Sequence, residues 1–98
     1  MLFAVRFKDK EGMFESRQEN LTKHIAWLDQ HQNTILVGGS LRESPDQVPI
    51  GGLWIVEASS RDHIMALIQS DPFWQIGLRE SVEILHWSKA FEDRKVLI

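Results

Sequence analysis

His24 and Asp71 are the first two candidates in this sequence for acid–base chemistry. Histidine has an unperturbed pKa of roughly 6.5, so it is the natural proton donor or acceptor near neutral pH once it reaches a cleft. A carboxylate bonded to one ring nitrogen fixes the tautomer and leaves the other nitrogen to exchange protons. The pair therefore predicts a catalytic site in which His24 moves the proton and Asp71 orients the imidazole.

Each of these residues also has a purely structural interpretation. His24 falls on the apolar stripe of a predicted helix, where a histidine at the edge of the core can be hydrogen-bonded to the backbone. Asp71 precedes Pro72, and an aspartate before a proline is a good helix N-cap. The sequence alone leaves both interpretations open for both residues.

Aromatic and small residues elsewhere are candidates for a binding pocket. Trp27 and Phe73 are predicted to form its apolar walls, although such side chains more often fill a core. The paired glycines Gly38 and Gly39 either let a ligand approach the backbone or mark a bulge. Trp27, Gly39, Ser40 and Phe73 form the predicted substrate-binding set.

Other kinds of site have little support. The chain has no cysteine, which excludes disulfides, a thiol nucleophile and thiolate metal sites. His24 and His31 lie on one side of a predicted helix, but no carboxylate in that segment has ligand spacing, so no metal is predicted. The net charge of −3 and the pI of about 5.7 argue against nucleic-acid binding. The expected chemistry uses no cofactor.

The length and the amino-acid composition of the chain favour one small domain. The domain is predicted to span residues 1–98, with a core of about 2–88 and a tail of 89–98. Hydrophobic residues at 43% and charged residues at 26% are typical of a globular protein. No apolar stretch approaches the roughly 20 residues of a membrane span, and the first residues lack the features of a signal peptide. We therefore expect a soluble, cytoplasmic protein with no membrane partner.

Hydrophobic periodicity predicts the elements that must position the candidate residues. The predicted strands span 2–8, 34–41, 50–58 and 81–88, the predicted helices span 13–32 and 61–69, and a short helical turn follows from 72 to 75. Residues 9–12 form the predicted first turn. The expected buried stripe of the first helix comprises Leu21, Ile25, Leu28 and Gln32, with His24 inside it and Asn33 as C-terminal cap. Ser59 or Ser60 is the predicted cap of the second helix.

This order of elements, β-α-β-β-α-β, is typical of the ferredoxin-like α+β fold. It predicts a four-stranded antiparallel sheet with two helices on one face. The other face should be polar at every second position if it is open to water. Trp54 and Val56 instead alternate with Leu53 and Ile55, so both faces are apolar. A large bare apolar patch marks an interface, and we predict a C2 homodimer with the two sheets packed face to face.

The ordered set of motifs resembles the YciI-like family. The set comprises His24-x-x-Trp27-Leu28, Gly38-Gly-Ser-Leu41, Asp71-Pro-Phe73, Gly77-Leu78 and Val82-Glu-Ile84, over about residues 2–88. The resemblance implies a dimeric α+β barrel and a histidine–aspartate pair, at His24 and Asp71, in a pocket proposed as an active site. Most members have no assigned reaction. One departure is His86-Trp87, where the family often has a proline, and it affects the expected rim of the pocket.

Together these features favour a cofactor-independent small-molecule enzyme of isomerase or lyase type. Its pocket is expected between the long helix and the Asp71 turn. Two alternatives stay open. The chain is either a module that binds a small ligand without converting it, or a fold in which the histidine and the aspartate are only structural.

Overall fold

The structure, a computed structural model, describes residues 1–96 and 98. Its elements in chain order are β1 (Leu2–Asp9), α1 (Phe14–Gln30), β2 (Ile35–Leu41), β3 (Gly51–Glu57), α2 (Arg61–Ile68), α3 (Pro72–Gln75) and β4 (Arg79–His86). The strands form one antiparallel sheet in the order β2-β3-β1-β4. The predicted ferredoxin-like α+β fold is therefore confirmed. The described part of the predicted tail contains no helix or strand, and Leu97 lies outside the described residues.

The core lies between the sheet and the helices. Phe3, Val5 and Phe7 alternate along β1 and are almost completely buried. The register pairs Phe3 with Val56 and Val5 with Trp54, so the inward residues of the two central strands are neighbours. The side chains that cover them from the helices are Trp27, Ile64 and Ile68.

The buried face of helix α1 matches the predicted one only in part. Its buried residues are Arg17, His24 and Trp27, whereas Ile25, expected on the buried stripe, is 55% exposed. Leu28, from the predicted stripe, packs against the core. The buried face also carries polar side chains, whose charged atoms find partners in other elements, so their burial is compensated. The predicted placement of His24 on the buried face is confirmed.

The end of α1 also differs from the prediction. The helix ends at Gln30, and His31 occupies the C-cap position. The carbonyl oxygen of His31 accepts hydrogen bonds from the backbone N–H groups of Thr34 and Ile35, which leads the chain directly into β2. The predicted cap at Asn33 is therefore wrong, because the turn satisfies the helix end two residues earlier.

The caps of the other two helices follow the sequence signals. The Ser60 hydroxyl accepts a hydrogen bond from the backbone N–H of His63 at the start of α2. Asp71 caps α3, with Pro72 at its first position. Gly77 has a φ of +74°, the left-handed conformation that glycine adopts most easily, and it returns the chain to β4.

The second face of the sheet carries the predicted apolar surface. The register places Val37 beside Ile55, Ile55 beside Ala4 and Ala4 beside Leu85, so one apolar row crosses all four strands. Val37 and Leu85 are each about half exposed. We call these four residues the open-face row. The homodimer that would cover it stays a prediction.

The helices of the described chain are short. The longest is α1, with 17 residues. None of the helices in residues 1–96 is both long enough and apolar enough to span a membrane.

Candidate functional site

The fold brings His24 and Asp71 together, although 47 positions separate them in the sequence. Nδ1 of His24, from the middle of α1, lies 2.7 Å from Oδ1 of Asp71 at the start of α3. The two side chains are only 7% and 1% exposed. The distance is that of a charge-assisted hydrogen bond in which Nδ1–H donates to the carboxylate. In the neutral ring this leaves Nε2 as the acceptor.

Asp71 is at once a helix cap and the partner of the histidine. Its Oδ1 accepts a hydrogen bond from the backbone N–H of Phe73 at 3.0 Å as well as the one from His24. The other oxygen, Oδ2, is buried and has no hydrogen-bond partner among the described residues. The sequence left open whether Asp71 caps a helix or binds the histidine. In the structure one oxygen atom, Oδ1, does both.

Aromatic rings hold the imidazole in place. The ring of Phe73 stacks on His24 with centroids 3.8 Å apart and planes inclined by 10°, and the ring of Trp27 lies nearly parallel at 6.4 Å. Trp27 is itself anchored, because its Nε1–H donates to the Ser70 hydroxyl at 3.0 Å and that hydroxyl donates to the carbonyl of Leu67. The stacking and the hydrogen bond to Asp71 together restrict the orientation of the imidazole.

The second ring nitrogen of His24 is left free. Nε2 makes no hydrogen bond to any residue in the described part of the chain, and it is not one of the enclosed polar atoms. A histidine that served only to join α1 to α3 would need Nδ1 alone. Nε2 is therefore the atom of this pair that can exchange a proton with a ligand.

The structure does not bring Gly39 and Ser40 into this arrangement. Both lie in the edge strand β2. Gly39 pairs with Leu53, and a Cβ added to it would meet no atom within 4 Å. The Ser40 hydroxyl accepts a hydrogen bond from Arg42 at 3.0 Å. No hydrogen bond among the described residues joins either of them to His24, and their role in substrate binding stays a prediction.

The bulge in β2 lies earlier than expected. The register shifts between Ile35 and Val37, not at the paired glycines. Gly38 instead faces the core, where an added Cβ would lie 3.3 Å from Cδ1 of Trp54. Close packing over this tryptophan is a sufficient reason for the glycine, and it requires no ligand.

A buried ion cluster that the sequence did not reveal lies beside Phe73. Asp9 accepts hydrogen bonds from Nε of Arg17 at 3.2 Å and from Nη1 of Arg79 at 2.6 Å. The three side chains are at most 10% exposed. Asp9 was expected in the first turn, but it is the last residue of β1 and stands opposite Arg79 of β4. The available signal was Arg17, seven positions before His24 and therefore on the same face of α1.

Both arginines of the cluster also lie against aromatic rings. Cζ of Arg17 is 5.0 Å from the ring centroid of Phe73, and Cζ of Arg79 is 4.4 Å from that of Phe7. Burial lowers the pKa of Arg17, and the neighbouring Asp9 carboxylate opposes that shift. Since Phe73 also stacks on His24, it joins the ion cluster to the histidine–aspartate pair.

A cavity of about 450 Å³ opens beside Arg17. The residues that line it include Asp9, Phe14, Arg17, Val48, Ile50 and Leu78, but not His24 or Asp71. The pocket was expected between α1 and the Asp71 turn. At that contact the ring of Phe73 packs directly against the imidazole, with centroids 3.8 Å apart.

Two further expectations concern the surroundings of the pair. In the described residues, no group of three or more histidine, aspartate or glutamate side chains is arranged to hold a metal ion. His86, the departure from the family pattern, packs against Phe3 with ring centroids 4.5 Å apart and planes inclined by 37°. This contact is at the opposite end of β1 from Asp9, and His86 does not line the cavity beside Arg17.

The fold and the site define a class of small α+β protein with a buried histidine–aspartate pair between its helices. The chain belongs to the YCII-related domain family, whose model matches residues 1–88. It is similar to the solved structure of 5-chloro-2-hydroxyhydroquinone dehydrochlorinase from Burkholderia phenoliruptrix AC1100, in complex with 2,5-dihydroxybenzoquinone. The identity is 29% and the TM-score 0.81, over 90% of this chain and 94% of that chain.

More distant structures share the fold alone. One is a candidate antibiotic biosynthesis monooxygenase from Bacteroides thetaiotaomicron, with 13% identity and a TM-score of 0.53 over 98% of this chain and 94% of that one. Another is a NIPSNAP family protein from Agrobacterium tumefaciens, with 16% identity and a TM-score of 0.52 over 95% and 97%. No curated protein sequence matches the chain.

Proposed function

We propose that this protein is a small-molecule enzyme in which His24 is the general acid–base and Asp71 orients it. The observation that carries the proposal is the 2.7 Å contact between His24 Nδ1 and Asp71 Oδ1, which leaves Nε2 without a partner among the described residues. The likeness to a dehydrochlorinase at 29% identity supports an enzyme of this kind.

The reaction class we propose is elimination from a hydroxylated ring. The name of the similar enzyme states that it removes hydrogen chloride from a chlorinated hydroxyhydroquinone. Such an elimination takes a proton from the substrate and releases chloride with the bonding electron pair, so it balances without an oxidant or a reductant. In this chain Nε2 of His24 accepts the proton, and the Asp71 carboxylate stabilises the imidazolium that forms. General base catalysis of this kind contributes roughly 10²–10⁴-fold.

The remaining predicted site residues take supporting roles in the proposal. Phe73 and Trp27 are the apolar walls, since both rings lie parallel to the imidazole. The His24 side chain is nearly enclosed, but Nε2 is not one of its enclosed atoms, so a ligand reaches the imidazole at this nitrogen, in the plane of the ring. Gly39 lies on the open face, so a binding role for it depends on a second copy of the chain, whereas Ser40, the next residue of the strand, lies on the other face.

That second copy is part of the proposal. The open-face row, Val37, Ile55, Ala4 and Leu85, is continuous across the sheet. A monomer would leave it in water at a cost of about 25 cal/mol per Å² of apolar surface. Pairing two such faces about a twofold axis buries both, which supports a homodimer. The cytoplasmic location stays a prediction.

A second candidate function is a module that binds a small ligand and does not convert it. The observation that favours it is the enclosure of His24, whose side chain is 7% exposed. In this case the histidine donates or accepts one hydrogen bond to the ligand. The two functions are separated by turnover, because a binding module is stabilised by its ligand and leaves it unchanged.

The test measures chloride release from 5-chloro-2-hydroxyhydroquinone by the wild type and three variants. We expect His24→Gln to lower kcat by roughly 10²–10⁴-fold, the range of general base catalysis. Asp71→Asn keeps the acceptor oxygen and removes the charge, so it should lower kcat with little change in KM. His63→Gln is the matched control, because His63 is exposed on α2 and should leave both constants unchanged.

Two results would decide against the proposal, the first against the role of His24 and the second against catalysis itself. Wild-type turnover by His24→Gln would show that the histidine moves no proton. Thermal stabilisation of the wild type by the chlorinated compound, with no chloride released from it or from other halogenated hydroxyarenes, would support the binding module instead.

A further inference from the structure

The cavity beside Arg17 has the shape and lining of a small-molecule site. It lies where the turn after β1, the first turn of α1 and the loop before β3 meet, and its volume of about 450 Å³ is in the range of ligand pockets. Three large apolar side chains at its opening, Phe14, Val48 and Ile50, are 42–50% exposed. We call these three residues the apolar rim. Exposed apolar side chains gathered around a concave surface are typical of a binding site.

The guanidinium of Arg17 lines the same cavity and has unused donors. The Arg17 side chain is nine-tenths buried, and its Nε donates to Asp9. Its two terminal nitrogens make no hydrogen bond to any of the described residues, and neither is an enclosed atom. They are therefore open to a group inside the cavity. Their planar, forked geometry suits the two oxygens of a carboxylate or the oxygen of an enolate.

The charge around the cavity favours an anion. Asp9 contributes one negative charge and lies between two arginines, Arg17 and Arg79, which leaves an excess of one positive charge. The other charged lining residues are Lys8, which pairs with Glu80 at 3.1 Å, and Lys10 and Glu11, which are opposite in sign. A ligand with a single negative charge would neutralise the cluster.

We propose that this cavity binds a small aromatic anion, with the charged group on the Arg17 guanidinium and the ring against the apolar rim. A partner protein is less suited to it, because a flat surface would cover the rim and leave the recessed guanidinium unpaired. The site is separate from the proposed function, since neither His24 nor Asp71 lines it. Phe73, which contacts both Arg17 and His24, is the link between the two regions.

The test uses two probes of the same shape that differ in charge, 2-naphthoate and 2-naphthamide. Each is titrated into the ¹⁵N-labelled protein, and backbone amide shifts locate the binding. We expect 2-naphthoate to shift the amides of Gly12 and Leu78, which line the cavity, more than those of Ser70 and Phe73. The amide probe should bind about tenfold more weakly or worse, because it has no negative charge to pair with the guanidinium and only one acceptor oxygen.

Substitutions test separately the two parts of the site, the Arg17 guanidinium and the apolar rim. Arg17→Gln should weaken 2-naphthoate about tenfold or more and leave 2-naphthamide unchanged, whereas Arg17→Lys should recover part of the loss. Because Arg17 is buried, each variant is first shown to be folded by its amide spectrum. Phe14→Ala, at an exposed position, should weaken both probes without disturbing the ion cluster. Arg94→Gln is the control, because Arg94 is exposed and lies over Phe91 in the tail.

Four results would overturn the inference. The first two are the absence of amide shifts at Gly12 and Leu78, and equal affinity for the two probes. The third is amide shifts confined to Ser70 and Phe73. The fourth is amide shifts at the rim that depend on the protein concentration and not on the probe. The last result would mean that a second copy covers the rim. The His24→Gln variant should bind 2-naphthoate as tightly as the wild type does. A failure of this binding inference can therefore be distinguished from a failure of the proposed catalysis.

Discussion

Asp71 has two roles, as the N-cap of α3 and as the hydrogen-bond partner of His24, and substitutions at this position separate their contributions to the free energy of unfolding. Its Oδ1 accepts hydrogen bonds from the Phe73 backbone N–H and from Nδ1 of His24. Serine is a good N-cap but is too short to reach His24, so Asp71→Ser removes one of the two bonds. Asp71→Asn can keep both bonds through its amide oxygen, and Asp71→Ala keeps neither.

The structure sets the expected magnitudes. Loss of an N-cap costs about 1 kcal/mol. Loss of a hydrogen bond to a charged group, with its partner left buried, costs about 1.5–3 kcal/mol. The free energy of unfolding should therefore fall by about 3 kcal/mol in Asp71→Ala and by about 2 kcal/mol in Asp71→Ser. In Asp71→Asn it should fall by about 1 kcal/mol, because the new amide nitrogen replaces Oδ2, which has no partner among the described residues.

The assay is urea denaturation followed by tryptophan fluorescence and by far-ultraviolet circular dichroism at one fixed protein concentration. Coincident transitions support two-state unfolding, so that the midpoint and the slope give the free energy. A double-mutant cycle with His24→Ala then isolates the pair, and we expect a coupling of about 1.5–3 kcal/mol. A coupling below about 0.5 kcal/mol, the usual error of additivity, would refute the view that Asp71 holds the imidazole.

Two further predictions concern the sheet. Gly51→Ala should destabilise the fold severely, because its Cβ would lie 2.1 Å from the carbonyl oxygen of Phe7, whereas Gly39→Ala, which meets no atom within 4 Å, should change stability by less than about 0.5 kcal/mol. Thermal melts compare the two variants, and equal effects would contradict the packing around Gly51. Leu85→Glu should halve the mass of the proposed dimer in light scattering, and Ile25→Glu, at an exposed position on α1, should not. A monomeric wild type would end the dimer proposal.

Local sequence signals were sufficient for the elements and for some of their ends. Alternation along β1 placed Phe3, Val5 and Phe7 on one face, and they are the inward side chains of that strand. Ser60 and Asp71 were recognisable as caps because the side chain and the backbone donor that it binds are two or three residues apart. Such signals depend on neighbours in the chain, so no tertiary information is needed to detect them.

Periodicity was a weaker guide to the face that α1 buries. It favoured aliphatic positions such as Ile25, which is exposed, and gave no weight to Arg17, which is buried. A buried charge depends on a partner elsewhere in the chain, here Asp9. A hydrophobicity pattern contains no information about that partner.

The sequence by itself was enough to predict the ferredoxin-like α+β fold, and it singled out His24 and Asp71 as candidates for acid–base chemistry. Only the tertiary structure decided that they meet at 2.7 Å, and that Asp9, Arg17 and Arg79 form a charged cluster beside a cavity. The physical reason is that these contacts join residues from separate elements. The pairing of β1 with β4 and the packing of α1 against α3 set their distances, and neither is encoded in any local stretch of sequence.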